Sequence, residues 1–128
     1  MTTEKLIHTA AGTRNNAHAP YSNYKVGAAV ETENGQIFVG CNVESSSYGL
    51  TVCAERAAIC SAVSAGHRKF KSIAVVTETG ATPCGACRQF IWDICGNIIV
   101  IIADTMGNIR EIKMTDLLPY VFDESQLK

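Results

Sequence analysis

The apolar positions of the chain change their period along its length, and the changes mark its elements. From about Thr3 to Asn16, Leu6, Ile7, Ala10, Ala11 and Arg14 recur at helical spacing, which predicts an amphipathic helix. Asn15-Asn16 and then Ala19-Pro20-Tyr21-Ser22 break it. Val26 to Thr32 is a run of small and β-branched residues, Gln36 to Cys41 is its counterpart, and Asn34-Gly35 between them predicts a hairpin. After a loop from Asn42 to Val52, helical spacing returns from Cys53 to Ala65, with Gly66 as the stop. Ser72 to Glu78 reads as a buried strand, Gly80 to Pro83 as a loop, and Cys84 to Cys95 as a helix stopped by Gly96. Ile98 to Ala103 is an unbroken apolar run, the mark of a strand buried on both faces. Asp104 to Gly107 is a turn, Asn108 to Lys113 a last strand, and Thr115 reads as the N-cap of a short helical turn ending before Pro119.

A hairpin followed by strand–helix alternation predicts an α/β fold, a mixed sheet of about five strands with helices on both faces. The Asp104–Gly107 link is too short for a parallel crossover, so the last two strands should be antiparallel. At 128 residues the chain has the length of one domain, with a real core and little room for a second.

Composition narrows the class. With 47% hydrophobic and 18% charged residues, the chain reads as folded and soluble rather than disordered. The net charge is −1 and the eleven Lys and Arg are scattered, which leaves no basic face for nucleic acid. Ile98 to Ala103 is too short to cross a bilayer, and Met1-Thr-Thr-Glu-Lys5 has no apolar segment after it to make a secretory signal. The expectation is a cytoplasmic protein with neither membrane nor nucleic acid as partner. There, six cysteines point away from disulfides and toward metal or redox use.

The chemistry concentrates in two segments, Thr51-Val-Cys53-Ala54-Glu55-Arg56 and Pro83-Cys84-Gly85-Ala86-Cys87-Arg88, each opening a predicted helix. Cys84 and Cys87 share one face of the first turn, where free N–H groups and the helix dipole favour negative charge. Cys53 holds the same kind of position on the other helix. Two such helix starts, if convergent, supply three thiolates, and catalytic zinc takes three protein ligands with one position open. Three thiolates around a divalent cation leave the site net negative and a poor Lewis acid unless something offsets the charge. Arg56 is the candidate, donating hydrogen bonds to one or two of the sulfurs. Glu55 is the candidate proton shuttle, since hydrolytic removal of an exocyclic amine needs a base for water and then an acid for the leaving group.

Other readings stay open on these residues alone. Cys84-x-x-Cys87 fits structural zinc or a redox pair about as well as catalysis. A structural site wants four ligands, usually from two such knuckles; one exists here, with Cys41 as the remaining candidate for a fourth. Cys41, Cys60 and Cys95 read as small buried hydrophobes, and Cys60 lies two helical turns beyond Cys53, too far to share its metal. His8, His18 and His67 read as surface or loop residues.

Cys53-Ala54-Glu55 with Pro83-Cys84-Gly85-Ala86-Cys87 resembles the zinc deaminase signature, in which the Glu is the acid/base. Ala19-Pro-Tyr-Ser22, Tyr24-Lys-Val-Gly-Ala-Ala29, Gly40-Cys-Asn-Val-Glu44, Arg88-Gln89 and Leu117-Leu-Pro119 extend the likeness over nearly the whole chain, to the small homotetrameric cytidine deaminases. The resemblance implies one domain over 1–128 with the three-layer α-β-α fold of that family, and one Zn²⁺ per subunit on Cys53, Cys84 and Cys87. It implies hydrolysis of cytidine and 2′-deoxycytidine to uridine and 2′-deoxyuridine with release of ammonia, as in pyrimidine salvage. Asn42 and Glu44 match the pair that holds the ribose 3′-hydroxyl, and Ala54 the residue whose backbone reads the pyrimidine edge. Tyr24 stands where the family usually has Phe packing on the base, and its extra hydroxyl must face solvent or find a partner. Tyr48 and Phe122 match aromatics contributed to the pocket by neighbouring subunits of a homotetramer with shared active sites. An alternative keeps the chemistry and changes the substrate to an aminonucleoside such as blasticidin S or a base-modified cytidine. A nucleotide or nucleic-acid deaminase is disfavoured, because relatives of that kind typically join parallel last strands through a helix.

Overall fold

The computed structural model describes residues 2–127. Its elements run α1 (Thr3–Arg14), β1 (Gly27–Thr32), β2 (Ile37–Cys41), α2 (Ala54–Ser64), β3 (Phe70–Val76), α3 (Gly85–Cys95), β4 (Ile99–Ala103), β5 (Ile109–Lys113) and α4 (Met114–Leu117). The five strands form one sheet in the order β2-β1-β3-β4-β5. β1 is antiparallel to both neighbours, and β3 is parallel to β4, as the intervening α3 permits. β4 and β5 are antiparallel, as the Asp104–Gly107 turn requires. That turn is held by Asp104, whose Oδ1 accepts the Met106 and Asn108 N–H groups, while Gly107 takes a φ of +96°.

Side chains alternate between two cores, as the strand pleat dictates. Ala28, Val30, Ile73, Val75, Val100 and Ile102 face the layer built by α2, α3 and α4, where Ile59, Ile91 and Met114 are fully buried. Ala29, Ala74, Val76, Ile101 and Ala103 face α1 through Leu6 and Ala10. All six β1 residues are buried, as expected of a central strand. β5 is an edge strand carrying exposed Arg110, Glu111 and Lys113, charges that discourage edge-to-edge pairing. The expected α/β fold with a mixed five-stranded sheet, helices on both faces and antiparallel last strands is therefore present.

Several boundaries differ from the sequence pattern. β3 begins at Phe70 rather than Ser72, because Phe70 pairs with Thr32 across a register shift in β1, a contact no local pattern reveals. Thr115 is the second residue of α4, not its cap; Lys113 holds the cap position, and Asn97 Oδ1 accepts the Thr115 N–H at 3.1 Å. Cys60 is exposed rather than buried, and Cys41 and Cys95 are half-buried.

One close packing contact bears directly on the site. A Cβ added at Gly40 of β2 would lie 2.4 Å from the Ala58 nitrogen and 2.6 Å from the Ala54 oxygen. The α2 backbone thus rests on the glycine at the turn that carries Cys53 and Glu55. Gly40→Ala should cost about 1–3 kcal/mol of stability by overpacking, read as a lower urea midpoint at unchanged slope. It should also lower metal content, since β2 and the start of α2 can no longer pack at this distance.

Candidate metal centre and substrate cavity

The loop after β2 is built to deliver Cys53. Val43 and Val52 exchange both backbone hydrogen bonds at 2.9 Å, closing the loop 43–52 at its base. Thr51 Oγ1 accepts the Ser45 N–H at 3.1 Å within it. Cys53 then takes the N-cap position of α2, and Cys84 takes that of α3, where neither side chain makes a cap hydrogen bond. Sulfurs at both caps thus remain available to face a common point. Cys87, buried one turn into α3, completes the group: the Sγ atoms of Cys53, Cys84 and Cys87 lie within 4.8 Å of one another. Tetrahedral zinc with bonds of about 2.3 Å needs sulfurs about 3.8 Å apart, so the group needs only a small contraction.

The thiols already polarise one another. Cys53 is pulled down to about 5, chiefly by a hydrogen bond from Cys87 and further by Arg56, against the opposing effect of burial. Cys87 is pushed up by the same hydrogen bond, by burial and by the charge of Glu55. The charged form is thus favoured on Cys53, at a helix N-terminus that stabilises it, and disfavoured on Cys87. Arg56 Nη2 donates to Cys53 Sγ at 3.5 Å and to the Thr51 carbonyl at 3.3 Å, which places the expected counter-charge against a sulfur. Its Nε is a buried donor without a partner among the described residues. Such a group is costly unless an anion lies close. The donor set thus fits a soft divalent cation such as zinc, and the spare guanidinium donor fits its anionic shell.

Glu55 is 4% exposed. Burial raises its carboxyl to about 7, its own backbone N–H opposes this, and the Cys53 charge adds to the rise.

Beside these groups is an open cavity of about 310 Å³. Tyr24, Asn42, Glu44, Cys53, Ala54, Glu55 and Cys84 all line it, together with Val75 and Thr77 from β3 and its end. Seven of the ten residues read as metal-binding, catalytic or substrate-binding therefore line it, and Cys87 and Arg56 do not. Asn42 is fastened by two bonds, its Oδ1 accepting the Val26 N–H at 2.9 Å and its Nδ2 donating to the Tyr24 carbonyl at 2.8 Å. The Glu44 carboxylate accepts the Tyr21 and Ser22 N–H groups at 3.0 and 3.1 Å and the Ser22 hydroxyl, which together hold it below the usual carboxylate range, the Ser22 hydroxyl most. The Tyr24 hydroxyl does find a partner, Thr79 Oγ1 at 2.7 Å.

Tyr48 and Phe122 do not line this cavity. They are 75% and 57% exposed, Tyr48 edge-on to Tyr21 at 6.0 Å, and Phe122 fixed through its carbonyl by Gln89 Nε2 at 2.7 Å.

Sequence reasoning missed the residues that hold the loop before α3. Arg88 donates to the Pro83 carbonyl, the Leu117 carbonyl and Thr82 Oγ1, each at 2.8 Å. Thr77 Oγ1 accepts the Gly80 and Ala81 N–H groups at 2.8 and 3.0 Å. Arg88 stood in the matched segment, but nothing in a linear pattern pairs it with Leu117.

Fold and site together define a metal-dependent hydrolytic domain, with two helix starts presenting sulfurs and a buried carboxylate to one cavity. Comparison with known proteins names the family. Residues 1–103 match the family described as the cytidine and deoxycytidylate deaminase zinc-binding region. The chain is 46% identical to a cytidine deaminase of Sporosarcina psychrophila, over 99% of this chain and 96% of that one. The crystal structure of a cytidine deaminase from Burkholderia pseudomallei superposes with a TM-score of 0.93 at 48% identity, covering 95% of this chain and 100% of that one. A blasticidin-S deaminase of Bacillus cereus is 32% identical over 77% of this chain and 76% of its own length. The chain belongs to the cytidine and deoxycytidylate deaminase family, whose zinc-binding region it carries.

Arg56→Gln tests the counter-charge directly. Turnover should fall about 10- to 100-fold, the usual loss for a residue supporting metal ligands, while zinc measured on the same sample stays at the wild-type level. Unchanged turnover would remove Arg56 from the account.

Proposed function

We propose that this enzyme hydrolyses cytidine and 2′-deoxycytidine to uridine and 2′-deoxyuridine, releasing ammonia, in pyrimidine salvage. The observation that carries this reading is the meeting of Cys53, Cys84 and buried Glu55 in one cavity with Asn42 and Glu44. Cys53, Cys84 and Cys87 would hold one Zn²⁺, which supplies Lewis acidity and makes water a nucleophile at neutral pH.

The chain's own residues divide the remaining work. The Glu55 carboxylate accepts one proton from the attacking water and delivers it to the ring nitrogen, then takes the proton of the newly added hydroxyl and delivers it to the departing amine. Its burial keeps it from bulk water, and a carboxyl raised toward neutrality both accepts and donates a proton without a large driving-force penalty. Glu44, acceptor-only and held by three donors, is rigid enough to receive a sugar hydroxyl, and Asn42 retains one amide N–H for the same group. The Ala54 backbone at the start of α2 faces the pyrimidine edge, and Tyr24 packs on the base. Exposed Tyr48 and Phe122, with Leu50 at 71% exposure, suit a homotetramer in which neighbours complete each active site. Residues 1–128 act as a single deaminase domain, and the cytoplasm suits its free thiols. No helix among the described residues is long and apolar enough to cross a membrane.

Metal-replete protein given cytidine should convert it to uridine with one ammonia per uridine, followed by absorbance and ammonia assay. Blasticidin S should be a much poorer substrate, because Asn42 and Glu44 are set for an unmodified ribose. Turnover of blasticidin S alone would replace this reading with the alternative.

A further inference from the structure

The two walls of the cavity come from segments far apart in the chain, and one side-chain bond ties them together. One wall is the turn 19–26, where Asn23 takes a left-handed φ of 58° and sends Ser22 and Tyr24 into the site. Ser22 Oγ accepts the Tyr24 N–H at 3.0 Å and donates to Glu44, and Asn42 Nδ2 donates to the Tyr24 carbonyl at 2.8 Å. Tyr24 is therefore fixed to both residues read as holding the sugar. The other wall is the loop 77–84, which ends at Cys84. Thr77 pins its first half and Arg88 its second, but the exposed residues Glu78 and Thr79 at its bend have neither support. There the Tyr24 hydroxyl meets Thr79 Oγ1 at 2.7 Å.

We propose that the Tyr24–Thr79 hydrogen bond is a latch that fixes the width of the substrate cavity, making Thr79 a positioning residue for nucleoside binding. The inference rests on the deaminase reading for its substrate and on this chain's own tyrosine for its geometry. With the bond made, the sugar-side wall and the metal-side wall stand at one separation before substrate arrives. Without it the loop samples wider positions, and only the latched fraction binds well, so apparent affinity falls by that fraction. Once substrate is bound, both walls are held by it. The loss is then uniform across ground and transition states, raising KM and leaving kcat alone. The partners sit near the surface, where a hydrogen bond's net worth corresponds to about a 2- to 10-fold change.

The test uses zinc-loaded full-length protein, with Thr79→Val, Tyr24→Phe and the double variant. Thr79→Val should raise KM for cytidine about 2- to 10-fold with kcat within about twofold, and the double variant should match the single ones, as a shared bond requires. Amide hydrogen exchange of residues 78–82 without nucleoside should quicken by a similar factor in each variant. Additive effects, a loss in kcat at constant KM, or unchanged exchange would overturn the latch. Absence of cytidine turnover in the wild-type protein would instead overturn the deaminase reading, and the exchange measurement would still decide whether the bond restrains the loop.

Discussion

Glu55→Gln is expected to abolish useful deamination while leaving the folded, metal-loaded protein intact. The variant keeps the volume and one acceptor but cannot take or release a proton. General acid–base catalysis by one group is worth about 10²- to 10⁴-fold, and Glu55 is asked to serve twice in one cycle, so the loss in kcat should lie at the upper end. Stability should not fall and can rise, because an amide in this 4%-exposed position loses the desolvation cost of a carboxylate. Zinc content and assembly should match the wild type. A binding module stabilised by zinc would make the change silent in every assay, so the pairing of lost turnover with retained metal separates an enzyme from a scaffold.

Cys87→Ala is expected to act on the other half of the site. Cys87 is fully buried on α3, its Sγ within 4.8 Å of those of Cys53 and Cys84. Its loss leaves two sulfurs, too few to hold a catalytic zinc, so metal content and turnover should fall together. Folding should weaken as well, since an ion bound by the native state alone adds stability by mass action. At a hundredfold excess over its dissociation constant that is about 2.7 kcal/mol, or roughly 10 °C in Tm for a chain of this size. Chelation of the wild type should reproduce the shift, and the same chelator should leave the Cys87→Ala melting temperature where it is. A full zinc complement in the variant would exclude Cys87 as a ligand.

Much of this architecture is legible in the chain because its signals are local. Asn34-Gly35 announces the hairpin, the run Ile98 to Ala103 announces a strand buried on both faces, and four residues at Asp104–Gly107 dictate an antiparallel end to the sheet. The sulfur ligands are legible for the same reason, since each stands at the opening of a helix whose pattern is plain. What was not legible depends on pairs distant in sequence. Glu44 is held by Ser22, Tyr24 meets Thr79 and Arg88 reaches Leu117, contacts spanning 22, 55 and 29 residues. The start of β3 at Phe70 likewise follows from its partner Thr32 rather than from its own residues, among which Lys71 and Ser72 read as polar. The misjudged Cys60 has a similar cause: it lies one position off the buried stripe Ala58, Ile59, Ala62, and composition alone cannot set that angle.

The central claim is that Cys53, Cys84 and Cys87 hold one zinc on which deamination depends. Titrating metal-free protein with zinc, while following ammonia released from cytidine, tests it most directly. Activity should rise in proportion to added metal and break at one equivalent per chain. Ammonia release at full rate before any metal is added, or none after the ion is bound, would contradict it.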